Sequence, residues 1–513
     1  MTSHQKVLGN ALAQFLGRAL TAITSFVIVK LVTSVGAEFY GNYVTAYEFL
    51  AFFGILADAG LFAIAVREMA RARERSEQIL GNIFSLRLIL IVAVVLIAGV
   101  SAQLVPNYAP YVRTGIWITA LSMALTIVAG TLSSVLQARM KIQKFAGSLV
   151  AGKILLAALV FFIIRNFEFF GTPVHGFFAL LWAGVISNVL FAILVSFFAA
   201  REVPIRLHWD TVFLKRILRD SLPYGLALIL QTLYLRLDVV LISILLGAKA
   251  VGIYGVPTRI LESFLVLGVF FGQAILPRIS EQEKDADAMN RTLAWGMEKL
   301  LLFSLPIVIG ISAFAKEIVL LLSSPEFLSA EGFLGSNGVL QILIFTIFFA
   351  FFNQLFTFTL VAKNRQNYLL LVNGIALGMN AVLNILFLES FGLIAAVLST
   401  IGCEIVVFAL LVREIKKHFS PKFSSKNLTM ILLANALISA EIFLTPVGKN
   451  LFWAIGICGA TYLAMLWPIR KRLMGFLKKD GPPFSKKLHS RPLNRCLILQ
   501  KGEVPEWSNG APC

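Results

Sequence analysis

The chain is 513 residues long, 58% hydrophobic and only 14% charged, with 43 phenylalanines. A soluble globule carries about 25% charged residues, so this composition excludes an ordinary soluble domain and points to lipid-facing helices. The formal net charge of +18 does not indicate nucleic acid, because the basic residues cluster in alternate short loops, as they do in membrane proteins.

A polar stretch, residues 1–6, leads into a long apolar segment with no small-residue cleavage site, which predicts a first, uncleaved membrane helix. Apolar runs of roughly 20 residues, enough to cross about 30 Å of hydrocarbon, recur along the chain. They lie at 8–33, 43–66, 80–104, 112–138, 145–165, 174–199, 221–246, 251–276, 295–322, 337–361, 367–388, 392–412, 428–446 and 450–468. The expected fold class is all-α: a polytopic membrane protein of about fourteen transmembrane helices. With a cytoplasmic N-terminus, the inner loops carry 22 basic residues and the outer loops and adjoining helix ends 5. That asymmetry supports the helix count and places both termini in the cytoplasm, with the protein in the cell (inner) membrane.

Residues 36–43 read GAEFYGNY and residues 247–254 read GAKAVGIY. Both have the form G-A-x-x-x-G-x-Y, at an offset of 211 residues (36 to 247, 41 to 252, 43 to 254). One hydrophobic unit is therefore predicted to be used twice, as six-helix bundles at 1–199 and 221–412. An even number of helices lets both units enter from one side, so the repeat is parallel and encloses a central cavity. A basic amphipathic linker, 200–220, is expected on the inner membrane surface. Two additional helices, 413–468, lie outside the repeat. The tail, 469–513, begins with a basic anchor and continues as a polar, aperiodic stretch expected to be disordered.

Enzyme chemistry finds little support. The cysteines at 403, 458, 496 and 513 have neither metal-site nor C-x-x-C spacing. The histidines at 4, 175, 208, 418 and 489 fall in loops, tails or at a helix end. No nucleotide-binding P-loop is present, so no cofactor, metal or direct use of ATP is expected. The longest outer loop, about 323–336, holds Glu326 and Glu331 as its charges, too little for a glycan polymerase or ligase.

Four blocks carry a family likeness. The first is 35–71, with the G-x-Y turn and LADAGL; the second is 214–280, with SLPYGL, RLD, GAKAVGIY and LPRIS. The third is 324–364, with PEF and VAKN, and the last is FGLIAAVLST at 391–400. In their order and spacing these blocks resemble the polysaccharide biosynthesis protein family of Wzx-type oligosaccharide flippases, within the multidrug/oligosaccharidyl-lipid/polysaccharide superfamily. The likeness covers roughly residues 5–465. It implies translocation of a polyprenyl-pyrophosphate-linked oligosaccharide (an O-antigen, capsule or exopolysaccharide repeat unit) by alternating access. The implied partners are that glycan lipid, membrane lipids, glycan polymerase or export machinery, and H+ or Na+, with no nucleic acid. A lipid II flippase, a multidrug cation exporter and a non-transporting scaffold of a glycan-assembly complex remain as alternatives.

Ionisable residues inside a bilayer are costly and usually face a cavity or a partner. Arg18, Lys153, Arg236 and Arg259 come from both repeats and are the cations expected to take an anionic pyrophosphate, for which the planar guanidinium fork is suited. Asp58, Asp238, Glu262 and Glu404 are ion-coupling candidates or structural charge partners. Arg259 and Glu262, at i and i+3, are equally read as a self-neutralising pair. Arg236 and Asp238 are two apart and need separate partners, for Asp238 a basic residue on another helix. Lys30, Arg87 and Lys299 lie nearer helix ends and are expected to snorkel. Pro223 is expected to begin the seventh span, and Pro306 to kink the ninth. Gln14, Gln231, Asn353, Gln354 and Asn380 are read either as sugar contacts or as helix glue. The aromatic run 348–358 is read as facing lipid or sugar.

Overall fold

The structure is a computed structural model and describes residues 3–58, 60–282, 285–328, 334–363, 365–421, 424–445 and 451–470. The tail beyond residue 470 lies outside the described residues. The first half comprises α1 (Ser3–Thr33), α2 (Ala37–Asp58), α3 (Leu61–Arg71), α4 (Ser76–Gln103), α5 (Pro110–Ala138), α6 (Ile142–Arg165) and α7 (Pro173–Ala200). The second comprises α8 (Thr211–Leu245), α9 (Ala248–Glu281), α10 (Ala286–Ala313), α11 (Ala315–Leu322), α12 (Ser336–Leu343), α13 (Thr346–Ala362), α14 (Gln366–Phe391) and α15 (Leu393–Lys416). Two more helices follow, α16 (Ser425–Leu444) and α17 (Leu451–Leu466).

Among the described residues thirteen helical segments are long and apolar enough to cross a membrane, and α1 adds a shorter apolar stretch, Ala19–Thr33. The described residues contain no strand. The fold is therefore the expected polytopic all-α membrane architecture. Local chemistry sets several starts. Pro110 and Pro173 open α5 and α7, where a missing N–H costs nothing. Asp210 and Asp285 cap α8 and α10 through backbone N–H groups at 2.9 Å. Helix α8 begins ten residues before the span expected at 221 and runs through position 223. Pro223 thus lies inside a helix and does not open one.

Helix pairings of the first half recur in the second. Helix α1 packs on α6 as α8 packs on α14, α6 on α7 as α14 on α15, and α5 on α7 as α13 on α15. Helices α2 and α4 both pack on α5, as α9 and α10 do on α13. Across the halves the main contact is α2 against α9, joined by α2 against α8.

The repeated motif explains that contact. Gly36 and Gly247 hold φ of 139° and 82°, a region that glycine enters without strain, and each turn feeds a helix beginning at Ala37 or Ala248. The helices then cross at the second glycine of each motif. A Cβ on Gly41 would collide with the Ala248 carbonyl and lie 2.9 Å from Gly252 N. A Cβ on Gly252 would collide with the Ala37 carbonyl and lie 3.2 Å from Gly41 N. Small residues let two backbones approach this closely in a membrane.

Other contacts close the same end. Lys30 Nζ donates to the carbonyls of Leu320 (3.1 Å) and Ser323 (3.0 Å), and Thr33 Oγ1 donates to that of Leu322 (2.9 Å). Glu326 in the PEF turn accepts from Ala37 N at 3.3 Å, with Phe327 fully buried behind it. The segment joining the halves is strapped to the first: Asn82 Oδ1 accepts from Asp210 N at 2.5 Å, and Lys141 Nζ donates to Glu202 at 2.5 Å. The hydrogen bond from Lys141 holds the Glu202 carboxyl below the usual carboxylate range, so this strap is strongest at neutral pH and weakens as acid protonates Glu202.

The glycine crossing predicts opposite outcomes at two glycines. Gly41→Leu is expected to lower stability by about 1–3 kcal/mol or more through overpacking. Gly378 on α14 has open space where a Cβ would go, so Gly378→Ala is expected to be neutral or to raise stability by about 0.5–1 kcal/mol. Thermal melts of the purified variants in one detergent check both.

Candidate functional site

Counting back from the closed end, Glu48 lies 11 residues into α2 and Arg259 11 into α9, Arg236 lies 9 from the end of α8, and Lys153 lies 12 from the end of α6. At 1.5 Å per residue these depths are about 14–18 Å, near the middle of a hydrocarbon core of about 30 Å.

Two of the expected cations meet on one carboxylate. Glu48 is 6% exposed. One of its oxygens accepts from Arg236 Nη1 and the other from Arg259 Nη2, the latter at 2.5 Å. Arg259 Nη1 also donates to Glu262 at 2.9 Å, so the expected i, i+3 pair forms, but as one arm of a larger network. The guanidinium side chains of Arg236 and Arg259 are 28% and 33% exposed, against 7% for that of Glu48. Both guanidinium side chains thus keep more exposed surface than the carboxylate they share. Lys153 on α6 lies within electrostatic reach of Arg259. Arg18 lies 15 residues before the end of α1, a depth of about 22 Å; its side chain, like that of Gln14, is outside the described residues. The described cluster of Lys153, Arg236, Arg259, Glu48 and Glu262 carries one net positive charge, less basic than the four expected cations alone.

Glu48 was not among the expected site residues. A signal for it existed: at the repeat offset of 211 it is the counterpart of Arg259. Two opposite charges at equivalent positions, both within apolar runs, are what a contact on the repeat axis would show.

Asp238 and Glu404 form a second polar group inside the second half. Asp238 is 4% exposed and accepts from Tyr254 Oη (2.9 Å) and Thr400 Oγ1 (2.5 Å). Glu404 is 6% exposed and accepts from Tyr234 Oη and from Asn353 Nδ2 (2.6 Å). Neither makes an ion pair among the described residues. The basic partner expected for Asp238 is thus replaced by hydroxyls, because Arg236 points to the opposite side of α8 and is taken by Glu48. Asn380 accepts from Asn384 Nδ2 at 3.1 Å in the same region.

Asp58 is elsewhere. It pairs with Arg87, which is 3% exposed and also donates to Thr131 at 2.8 Å. Arg87 therefore does not snorkel; it is held inside the first half by a carboxylate at the end of α2. Within the aromatic run on α13, Phe351, Phe352 and Phe356 are buried in the protein core, whereas Phe348, Phe349 and Phe358 are half-buried.

Comparison with known proteins fits this arrangement. Residues 4–283 match the polysaccharide biosynthesis protein family, over half of the chain. The chain belongs to that family. Residues 223–386 also match MatE. An uncharacterized membrane protein of Methanocaldococcus jannaschii is 22% identical over 338 residues, 63% of this chain, and the chain spans 64% of that relative's length. Among solved structures, the lipid II flippase MurJ in an inward closed conformation matches with a TM-score of 0.71 at 15% identity, covering 92% of this chain and all of that one. An inward-facing multidrug resistance MATE family transporter of the MOP superfamily gives 0.61 at 16% identity, covering 77% and 95%. At these identities the likeness is one of fold: the chain has the fold of the MOP superfamily.

The Asp58–Arg87 pair yields a stability prediction. Arg87→Ala is expected to destabilise by about 3 kcal/mol, because removing one partner strands a charge, whereas the double change Asp58→Leu with Arg87→Met recovers most of the loss. Chemical or thermal unfolding of the two variants beside the wild type checks both expectations.

Proposed function

We propose that this polysaccharide biosynthesis family member flips a polyprenyl-pyrophosphate-linked oligosaccharide from the cytoplasmic to the outer leaflet. The observation that carries this reading is the placing of Arg236 and Arg259 within electrostatic reach of Lys153, from both halves of the chain and near the same mid-membrane depth, with the two guanidinium side chains about a third exposed. A pyrophosphate leaving water must regain its lost hydration from fixed charges, and guanidinium groups supply two N–H donors in the plane a phosphate accepts. The bundles 1–199 and 221–412 rock against each other, so the cation cluster faces first one side and then the other. The prenyl chain stays in lipid. Arg18 is likewise assigned to pyrophosphate binding in this reading.

Asp238 and Glu404 are assigned to ion coupling. Buried carboxylates held by hydroxyls and amides, with no cation at hand, suit reversible loading of H+ or Na+ as access alternates. Glu262 is a charge partner of Arg259 here, and Asp58 is structural.

The decisive measurement is the leaflet position of the glycan lipid. In cells lacking this gene, polyprenyl-linked oligosaccharide is expected to accumulate and to react with a sugar label after lysis but not on intact cells. Normal outer-leaflet labelling would overturn the proposal. Complementation with Arg236→Ala is expected to leave outer-leaflet labelling about tenfold or more below wild type at equal membrane abundance, the loss of about one charge-assisted contact. A scaffold would tolerate that change. Separately, Asp238→Asn and Glu404→Gln are expected to lose the dependence of flipping on an imposed H+ or Na+ gradient in proteoliposomes. Retained dependence in both would remove them from coupling.

A further inference from the structure

We infer that Glu48 is a resident stand-in for the substrate's anion: it occupies the guanidinium groups of Arg236 and Arg259 in the empty protein, and an entering pyrophosphate displaces it and thereby frees α2 from α8 and α9. This rests on the flippase reading above and adds a residue and a step to it.

The geometry supports displacement over a fixed brace. Glu48 spends one oxygen on each arginine, so a single carboxylate bridges two cations as one phosphate group would. It reaches them from α2 and is itself 7% exposed, whereas the arginines keep about a third of their side chains exposed. An anion can therefore engage both guanidinium groups before Glu48 lets go, and no intermediate leaves a bare buried charge. That matters, since breaking a buried pair without replacement costs about 3–5 kcal/mol. A pyrophosphate brings more negative charge and more acceptor oxygens than one carboxylate, so it wins the exchange.

The exchange has a mechanical consequence. Glu48 is the ion-pair tie from α2 to both α8 and α9, and so from the first half to the second. Once the arginines hold the substrate, that tie is gone and the conformations in which the halves separate gain population, driven by the differential affinity of the anion for the two states.

The test uses the full chain in nanodiscs, farnesyl pyrophosphate as probe, and fixed salt. Glu48→Gln keeps the side chain's shape and an acceptor oxygen but removes the competing charge. It is expected to bind farnesyl pyrophosphate about tenfold tighter than wild type, or about 1.4 kcal/mol, with Glu48→Asp intermediate. A residue that merely positions the arginines gives the opposite sign. Weaker or unchanged binding by Glu48→Gln overturns the displacement and leaves the flippase reading standing, because wild type still binds. Binding by neither protein overturns the pyrophosphate substrate and the displacement together. Spin labels on Ser34→Cys and Lys249→Cys, both exposed at the closed end, read the second half of the inference. Their distance is expected to lengthen in Glu48→Gln without ligand and in wild type with farnesyl pyrophosphate. A distance fixed in both samples overturns the release of α2.

Discussion

The close approach of α2 and α9 is the constraint on which the rest of this molecule depends. Two helices can touch backbone to backbone only where neither carries a side chain, and here the second glycine of each repeat, Gly41 and Gly252, supplies that gap for the other. Because both helices start from a glycine of positive φ and run the same number of residues to the crossing, they are in register. Register fixes depth: whatever stands seven residues beyond Gly41 faces whatever stands seven beyond Gly252. Those positions are Glu48 and Arg259.

A contact between equivalent positions carries an electrostatic condition. In a strict twofold pair each residue near the axis meets its own copy, so a charge there would face a like charge in a medium that screens it poorly. A chain that carries both copies in one sequence escapes this, since the copies can differ. Position 48 is acidic and position 259 basic; the same inversion occurs at Glu38 and Lys249, one step past each Ala of the motif. Burial of ions is weak evidence of a stabilising role, because apolar replacements of equal volume often do as well. A charge pair kept at the centre of an apolar contact is therefore not explained by stability alone.

Much of this was legible in the sequence because the bilayer imposes a length. Apolar runs and basic loops locate the spans, and the G-A-x-x-x-G-x-Y motif locates the repeat. Helix rotation was not legible. In a soluble helix the polar face marks the outside, but α7 and α13 are mostly apolar and have no charged face to mark one, since lipid and protein core ask for the same side chains. Hence Phe351 and Phe356 read as lipid- or sugar-facing and are core. Arg87 read as interfacial because it stands near the start of the run 80–104. Helix α4 in fact begins at Ser76 and sets Arg87 deeper, against Asp58. Glu48 is singled out by the repeat offset, since the residue 211 positions on is the oppositely charged Arg259.

Helix α8 joins the two polar centres. Arg236 and Asp238 are two residues apart, about 200° around a helix of 3.6 residues per turn, so one face of α8 meets Glu48 on α2 while the other meets Thr400 on α15. The two faces belong to one rigid rod that also packs along α14. Any rotation of α8 that moves the Arg236 guanidinium toward a substrate must move the Asp238 carboxylate relative to Tyr254 and Thr400. The hydrogen bonds that hold Asp238 are short and directional, so even a small turn changes how well its charge is satisfied. If substrate is held at Arg236 and an ion at Asp238, coupling between them requires no long pathway: a single turn of one helix suffices, and the sign of the coupling is set by which rotation leaves the carboxylate better satisfied.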